Sequence, residues 1–188
     1  MNFIQSFDWG FLNFINNFHN PFMDQLMIIL TFLGNLGLIW ILIAVGLLFL
    51  PQYRKVGFMV ICALILSSIL GDELLKNLIQ RPRPFVADPA AQLLITKPLS
   101  YSFPSGHTAS AFAAAGILAK MVKKYRGYVI ALASLIAFSR MYLFVHYPTD
   151  IIGGIIVGLF SSKIVLYFFE LESQRSSHKD ESKGNMGV

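Results

Sequence analysis

Residues 56–75 read "VGFMVICALILSSILGDELL" and carry no charge until Asp72. A helix crossing the hydrocarbon core of a bilayer needs roughly 20 mostly apolar residues, and this stretch has that length. Three later stretches match it: 106–122, 127–145 and 149–169. The run from Phe22 to Leu50 is longer than one crossing needs and too short for two, so it reads as one long tilted helix bent near Gly34 and Gly37. Before it, residues 3–18 alternate aromatics with Asn and Gln, the pattern of an amphipathic helix lying at the interface. Composition agrees. Of 188 residues, 55% are hydrophobic and 13% charged, against about a quarter charged in soluble domains, and mean hydropathy is +0.62. The expected fold is all-α: a polytopic membrane helix bundle with about five transmembrane helices, six being the alternative, and an N-terminal interfacial amphipathic helix. Residues 1–170 would form a single domain and 171–188 a disordered polar tail.

The net charge of +5 sits in loops and at segment ends, which points to membrane topology and anion binding and away from nucleic acid. The lone Cys62 permits no intramolecular disulfide and suggests no zinc site. The first twenty residues lack a basic leader and contain Asp8, Asn13, Asn16 and Asn17, so no cleavable signal peptide is expected. With five spans, loops 51–55 and 120–127 and the tail fall on one side. They gather Arg54, Lys55, Lys120, Lys123, Lys124, Arg126, Arg175, Lys179 and Lys183. Lys and Arg are retained in the cytoplasm, so that side is expected to be cytoplasmic. Lys76, Arg81, Arg83 and Lys97 then lie on the opposite side, where basic residues ask for a functional reason. Arg81 reads as a surface charge.

Three stretches meet on that outer face by helix parity. "KNLIQRPRP" supplies Lys76 and Arg83, "PSGH" supplies Ser105, Gly106 and His107, and "SRMYLFVHYPTD" supplies Ser139, Arg140, His146 and Asp150. Ser105 is a good N-cap, and Gly106 lets a ligand approach the backbone. A helix start offers free N–H groups and partial positive charge to an anion. Arg83 and Arg140 present planar donor forks suited to phosphoryl oxygens. Arg140 lies in or beside an apolar span, where an unpaired charge is expensive, and a phosphate would partner it. Lys76 either adds a point charge to that anion site or pairs with Asp72 or Glu73. His146 and Asp150 stand four apart, so the carboxylate can orient the imidazole. Pro148 between them suggests a turn and a new helix start. On these grounds His146 is the preferred nucleophile and His107 the preferred general acid. Gly154 and Gly158 form a G-x-x-x-G pair, whose ordinary meaning is close helix packing.

The pattern Lys76-x6-Arg83-Pro84, Pro104-Ser105-Gly106-His107 and Ser139-Arg140-x5-His146-x3-Asp150 resembles the three-part signature of the type 2 phosphatidic acid phosphatase (PAP2) superfamily. The resemblance implies a metal-independent, cofactor-free phosphatase working through a phosphohistidine. His146 would attack phosphorus, Asp150 would support it and His107 would protonate the leaving group. Lys76, Arg83, Ser105, Gly106 and Arg140 would hold the phosphoryl oxygens; Pro84 and Ser139 belong to the motif without an assigned role. Some bacterial relatives have six spans, and this chain resembles a shorter five-span form. Such relatives carry the site on the outer face of the cytoplasmic membrane. The implied partners are membrane lipids and a lipid phosphate or diphosphate substrate, with undecaprenyl diphosphate favoured over phosphatidylglycerophosphate and phosphatidic acid. A vanadium haloperoxidase and a non-enzymatic lipid-phosphate binder are the competing readings. The absence of a large soluble portion argues against the first, and the intact histidines against the second.

Overall fold

The computed structural model describes residues 3–88 and 91–184; the side chains of Ser173 and of residues 175–184 lie outside the description. The helices are α1 (Phe3–Asn16), α2 (Pro21–Gly34), α3 (Leu38–Leu48), α4 (Arg54–Ser68), α5 (Lys76–Ile79), α6 (Pro84–Ala87), α7 (Gly106–Met121), α8 (Arg126–Tyr142) and α9 (Pro148–Gly184). No strand occurs among the described residues. The expected all-α bundle is therefore the architecture found.

Helix starts follow local chemistry. Asn20 caps α2 by accepting the Met23 N–H at 3.0 Å, with Pro21 at the first helical position. Pro148 opens α9 in the same way. The polar segment expected to be a disordered tail continues α9 as far as Gly184; Glu, Gln and Lys in it are good helix formers. Residues 185–188 lie outside the described residues.

The Phe22–Leu50 run forms one long span, Pro21–Leu48, interrupted where the bend was expected. Between α2 and α3 the helix is broken rather than merely curved, with Leu36 at φ 51° and Gly37 at φ 71°. The cause is close packing. A Cβ on Gly34 would stand 2.7 Å from Ile136 and 2.9 Å from His107, so the chain presses against α7 and α8 here. Gly37 then takes the left-handed conformation at little steric cost. A second irregularity joins α4 to α5, where Ile69–Leu75 forms a π-helical segment. Such widened turns concentrate at functional sites, and this one presents Asp72.

Among the described residues, three segments are long and apolar enough to cross a membrane: Pro21–Leu48, Pro51–Ala87 and Pro148–Glu172. The helices α7 and α8 have 16 and 17 residues, roughly 24–26 Å at 1.5 Å per residue, just under a hydrocarbon core. α7 lies at the centre, packed on α4, α8 and α9. Its buried Ala109, Ala113 and Ala114 let neighbours approach. The G-x-x-x-G face of α9 meets it: a Cβ on Gly158 would be 2.4 Å from the Ala109 carbonyl oxygen, and one on Gly154 2.8 Å from that of Ser105. The outside of the bundle exposes Phe32, Leu42, Phe58, Ile65, Ile156 and Phe160, an apolar surface suited to lipid. The chain is a multi-pass membrane protein. The Lys55 ammonium sits 5.6 Å over the Phe169 ring, bringing the basic 51–55 loop and the later turns of α9 to one end of the bundle.

Candidate active site

At the opposite end, the end of α5, the 80–105 loop, the start of α7, the end of α8 and the start of α9 converge. A cavity of about 510 Å³ opens there, lined by Lys76, Arg83, Gly106, His107, Arg140 and His146 among others. The three sequence motifs thus share one space, but their members do not all face it.

His146 is 1% exposed. Its Nε2 lies 3.1 Å from Arg83 Nη1. A guanidinium only donates, so Nε2 must accept and the proton of the neutral ring sits on Nδ1. That nitrogen faces Ser102 Oγ at 3.4 Å and Asp150 Oδ2 at 3.5 Å. Ser102 Oγ in turn donates to Asp150 Oδ2 at 2.5 Å, and the Tyr147 N–H donates to the same oxygen at 2.9 Å. Support from Asp150 to the ring therefore runs largely through Ser102. The groups facing His146 are Lys76, Arg83, Arg140, His107 and Asp150. Burial first, then Arg83, Arg140 and Lys76, hold its pKa well below the ordinary 6.5. The resulting tautomer leaves the Nε2 lone pair toward the cavity side.

Arg83 is fully occupied. Its Nε donates to the Ser100 carbonyl at 2.7 Å, Nη1 to the Val145 carbonyl at 2.9 Å and to His146, and Nη2 to Ser100 Oγ at 3.1 Å and the Tyr101 carbonyl at 3.2 Å. Lys76 donates to Asp72 Oδ1 at 2.7 Å and Ser100 Oγ at 3.4 Å. Pairing with Asp72 and lining the cavity, left as alternatives by the sequence, are both realised. Arg140 is 3% exposed, bonds Thr31 Oγ1, and has a buried Nε with no hydrogen-bond partner among the described residues. Such an orphaned donor is costly unless a ligand supplies the acceptor.

His107 projects from the first turn of α7 with Nε2 2.9 Å from Asn35 Oδ1. Ser105 is fully buried; its hydroxyl caps α7, accepting from the Thr108 N–H at 3.4 Å and the Thr108 hydroxyl at 3.0 Å. It does not line the cavity. Gly106 does, but a Cβ there would stand 2.8 Å from Asp72 Oδ1, so its missing side chain admits Asp72 close to the helix start. Ser139 bonds the Ile136 carbonyl at 2.7 Å inside α8, and Pro84 is buried at the start of α6.

Arg81 is not a surface charge. Its Nη1 donates to Thr149 Oγ1 at 2.6 Å and Asp150 Oδ1 at 2.7 Å, and its Nη2 to Asp8 Oδ2 at 2.5 Å. Sequence reasoning missed Asp8, Asn35, Ser100 and Ser102 as members of this neighbourhood. The one available signal was Asp8, the sole charge in residues 3–18.

The family model of the PAP2 superfamily matches residues 52–173. Among curated relatives, the undecaprenyl-diphosphatase of Sulfolobus acidocaldarius is 32% identical over 72% of this chain and 66% of its own length, just under two thirds. Among solved structures, Aquifex aeolicus LpxE superposes with a TM-score of 0.76 at 29% identity, covering 85% of this chain and 94% of that one. The PAP2 type phosphatidylglycerolphosphate phosphatase of Bacillus subtilis gives 0.74 at 28% identity, covering 90% and 88%.

Proposed function

The chain belongs to the PAP2 superfamily, and from that premise we propose that it hydrolyses a lipid phosphate or diphosphate through a phosphohistidine on His146. The observation that carries this reading is the buried His146, with Nε2 held by Arg83 beside a cavity lined with Lys76 and Arg140, and Nδ1 backed by Ser102 and Asp150. Phosphoryl transfer asks chiefly for positioning and for dispersal of charge over three equatorial oxygens. Lys76, Arg83 and Arg140 supply that charge, and the orphaned Arg140 Nε gains its acceptor.

The sequence of events follows from the occupied donors. An entering phosphoryl oxygen takes the Arg83 hydrogen now given to Nε2, which frees that lone pair beside phosphorus. Nε2 attacks, the P–N bond forms and the bond from phosphorus to the leaving oxygen breaks, its electron pair staying on oxygen. His107, in its protonated form, gives that oxygen a proton. The developing imidazolium holds its Nδ1 proton toward Ser102 and Asp150. Water then gives a proton to His107 and attacks phosphorus. The P–N bond breaks, returning neutral His146 and free phosphate.

A site at one end of a membrane bundle suits a substrate whose tail stays in lipid. The favoured substrate is undecaprenyl diphosphate, supported by the relative bearing that activity in its name. Phosphatidylglycerophosphate is the second reading, supported by the Bacillus likeness over 90% of the chain. The site would face away from the cytoplasm, since the basic loops gather at the other end. A phosphate-release panel in detergent with undecaprenyl diphosphate, phosphatidylglycerophosphate and phosphatidic acid tests the assignment. Release should be fastest from undecaprenyl diphosphate, persist under saturating chelator and be inhibited by vanadate. Loss of activity with chelator and recovery with magnesium would contradict charge neutralisation by Lys76, Arg83 and Arg140.

A further inference from the structure

Asp8 stands on α1, the helix expected from its sequence to lie at the interface, yet it is fully buried. The same helix exposes Phe3, Ile4, Phe7 and Phe14, so its apolar face alone could hold it at a membrane surface. A buried carboxylate costs several kcal/mol unless its oxygens are paired, and here each is. Oδ1 accepts the Thr149 N–H at 3.1 Å; Oδ2 accepts the Thr149 hydroxyl at 2.7 Å and Arg81 at 2.5 Å. The other arm of Arg81 reaches Asp150 Oδ1, and its guanidinium lies 4.0 Å from the centre of the Tyr147 ring. Trp9 packs edge-on against the same ring at 5.6 Å. Two neighbouring residues of α1 thus grip both sides of the turn that carries His146.

We propose that Asp8 and Arg81 are positioning residues for the nucleophile: together they clamp Asp150 and the 146–150 turn, so that docking of α1 sets how productively His146 attacks. This rests on the reading of His146 as the nucleophile. The chain of contact is explicit. Asp150 Oδ1 is held by Arg81, leaving Oδ2 for Ser102 and the Tyr147 N–H, and Ser102 faces His146 Nδ1. Without Arg81, the buried Oδ1 loses its charged partner and the carboxylate is free to turn toward another donor. Oδ2 then no longer has a fixed place beneath Ser102. Without Asp8, Arg81 keeps Asp150 but loses the anchor that orients its fork. Residue 8 lies outside the 52–173 segment matched by the family, so this clamp joins an N-terminal segment to the family's machinery.

The test is a double-mutant cycle in purified full-length protein. Asp8→Asn keeps the shape and an acceptor while removing the charge; Arg81→Gln removes the fork. At metal centres, partners that orient a histidine are worth about 10–100-fold, and a loss of about tenfold or more in kcat is expected for each variant. Inhibition by vanadate should stay within about twofold of wild type in both, because Lys76, Arg83 and Arg140 are untouched. If Asp8 acts through Arg81, the double variant should be no slower than Arg81→Gln alone. Unchanged kcat in well-folded Asp8→Asn protein, losses that multiply in the double variant, or vanadate affinity falling in step with kcat would overturn the proposal. Should Asp8→Asn fail to accumulate in membranes, Thr149→Val removes the hydroxyl shared by Asp8 and Arg81. Its kcat should fall severalfold, and an unchanged value would equally overturn the clamp. Wild-type protein that turns over without an acid-labile phosphoenzyme would refute the nucleophile assignment instead, which keeps the two failures apart.

Discussion

His107 and His146 stand on opposite sides of the proposed transfer, and each makes a separate demand on the chemistry. A general acid matters most when the leaving oxygen is a poor leaving group. His107→Ala should therefore slow release from an alkyl phosphate far more than from a diphosphate or an aryl phosphate. Comparing kcat across those three substrates checks it, and equal losses would remove His107 from the acid role. His146 must be neutral to attack. Its pKa is depressed by burial and by Arg83, Arg140 and Lys76, so the competent form persists below pH 6.5 and is lost only as pH falls through the lowered value. The acid limb of kcat/KM due to His146 should lie below 6.5, and Arg83→Gln should move it upward. Ionisation of the substrate, which also shapes the profile, does not respond to that substitution. At this scale the sequence made the motif residues legible because their types and spacings are unusual in an apolar chain. Ser102 and Asn35 were not legible, being small polar residues whose meaning is only their neighbour in space. Arg81 was misread because Asp8, which explains it, lies 73 positions away.

Helix α9 shows what an element must do to position such a site. Its glycine face lies against α7, which starts with the Ser105–His107 turn, while its own start carries Asp150. Gly158→Val would drive a side chain into the Ala109 carbonyl and the Ala113 amide, at 2.4 and 2.8 Å from the first added carbon. Those are backbone atoms, so relief requires the helices to part, at a cost of about 1–3 kcal/mol. Thermal unfolding in detergent should show a lower midpoint, with kcat reduced as α7 and α9 separate. An unchanged midpoint would mean the contact is not tight. The apolar runs made most helices legible, since length and hydropathy are local properties. The bend near Gly34 and Gly37 was legible from its glycines, but the left-handed Leu36 inside it and the π-helical segment at Ile69–Leu75 were not. The first depends on what the chain packs against, with Gly34 pressed on Ile136 and His107. The lengths of α7 and α8 likewise reflect where the site interrupts the bundle more than how far a bilayer extends.

For the whole molecule, the distribution of charge and the site geometry point to opposite ends of one bundle. Single cysteines in a Cys62→Ala background can report on sidedness. Gln92→Cys, in the loop beside the site, should react with an impermeant thiol reagent in intact cells, whereas Gln52→Cys should react only after permeabilisation. The reverse pattern would turn the site toward the cytoplasm. The proposed reaction and the clamp both presuppose a covalent intermediate on His146, and rapid quenching with radiolabelled substrate examines that directly. Wild-type protein should trap an acid-labile, base-stable phosphoryl group that maps to His146, and His146→Ala should show neither label nor turnover. Near-normal hydrolysis by His146→Ala, or a label mapped to any other side chain, would contradict the account.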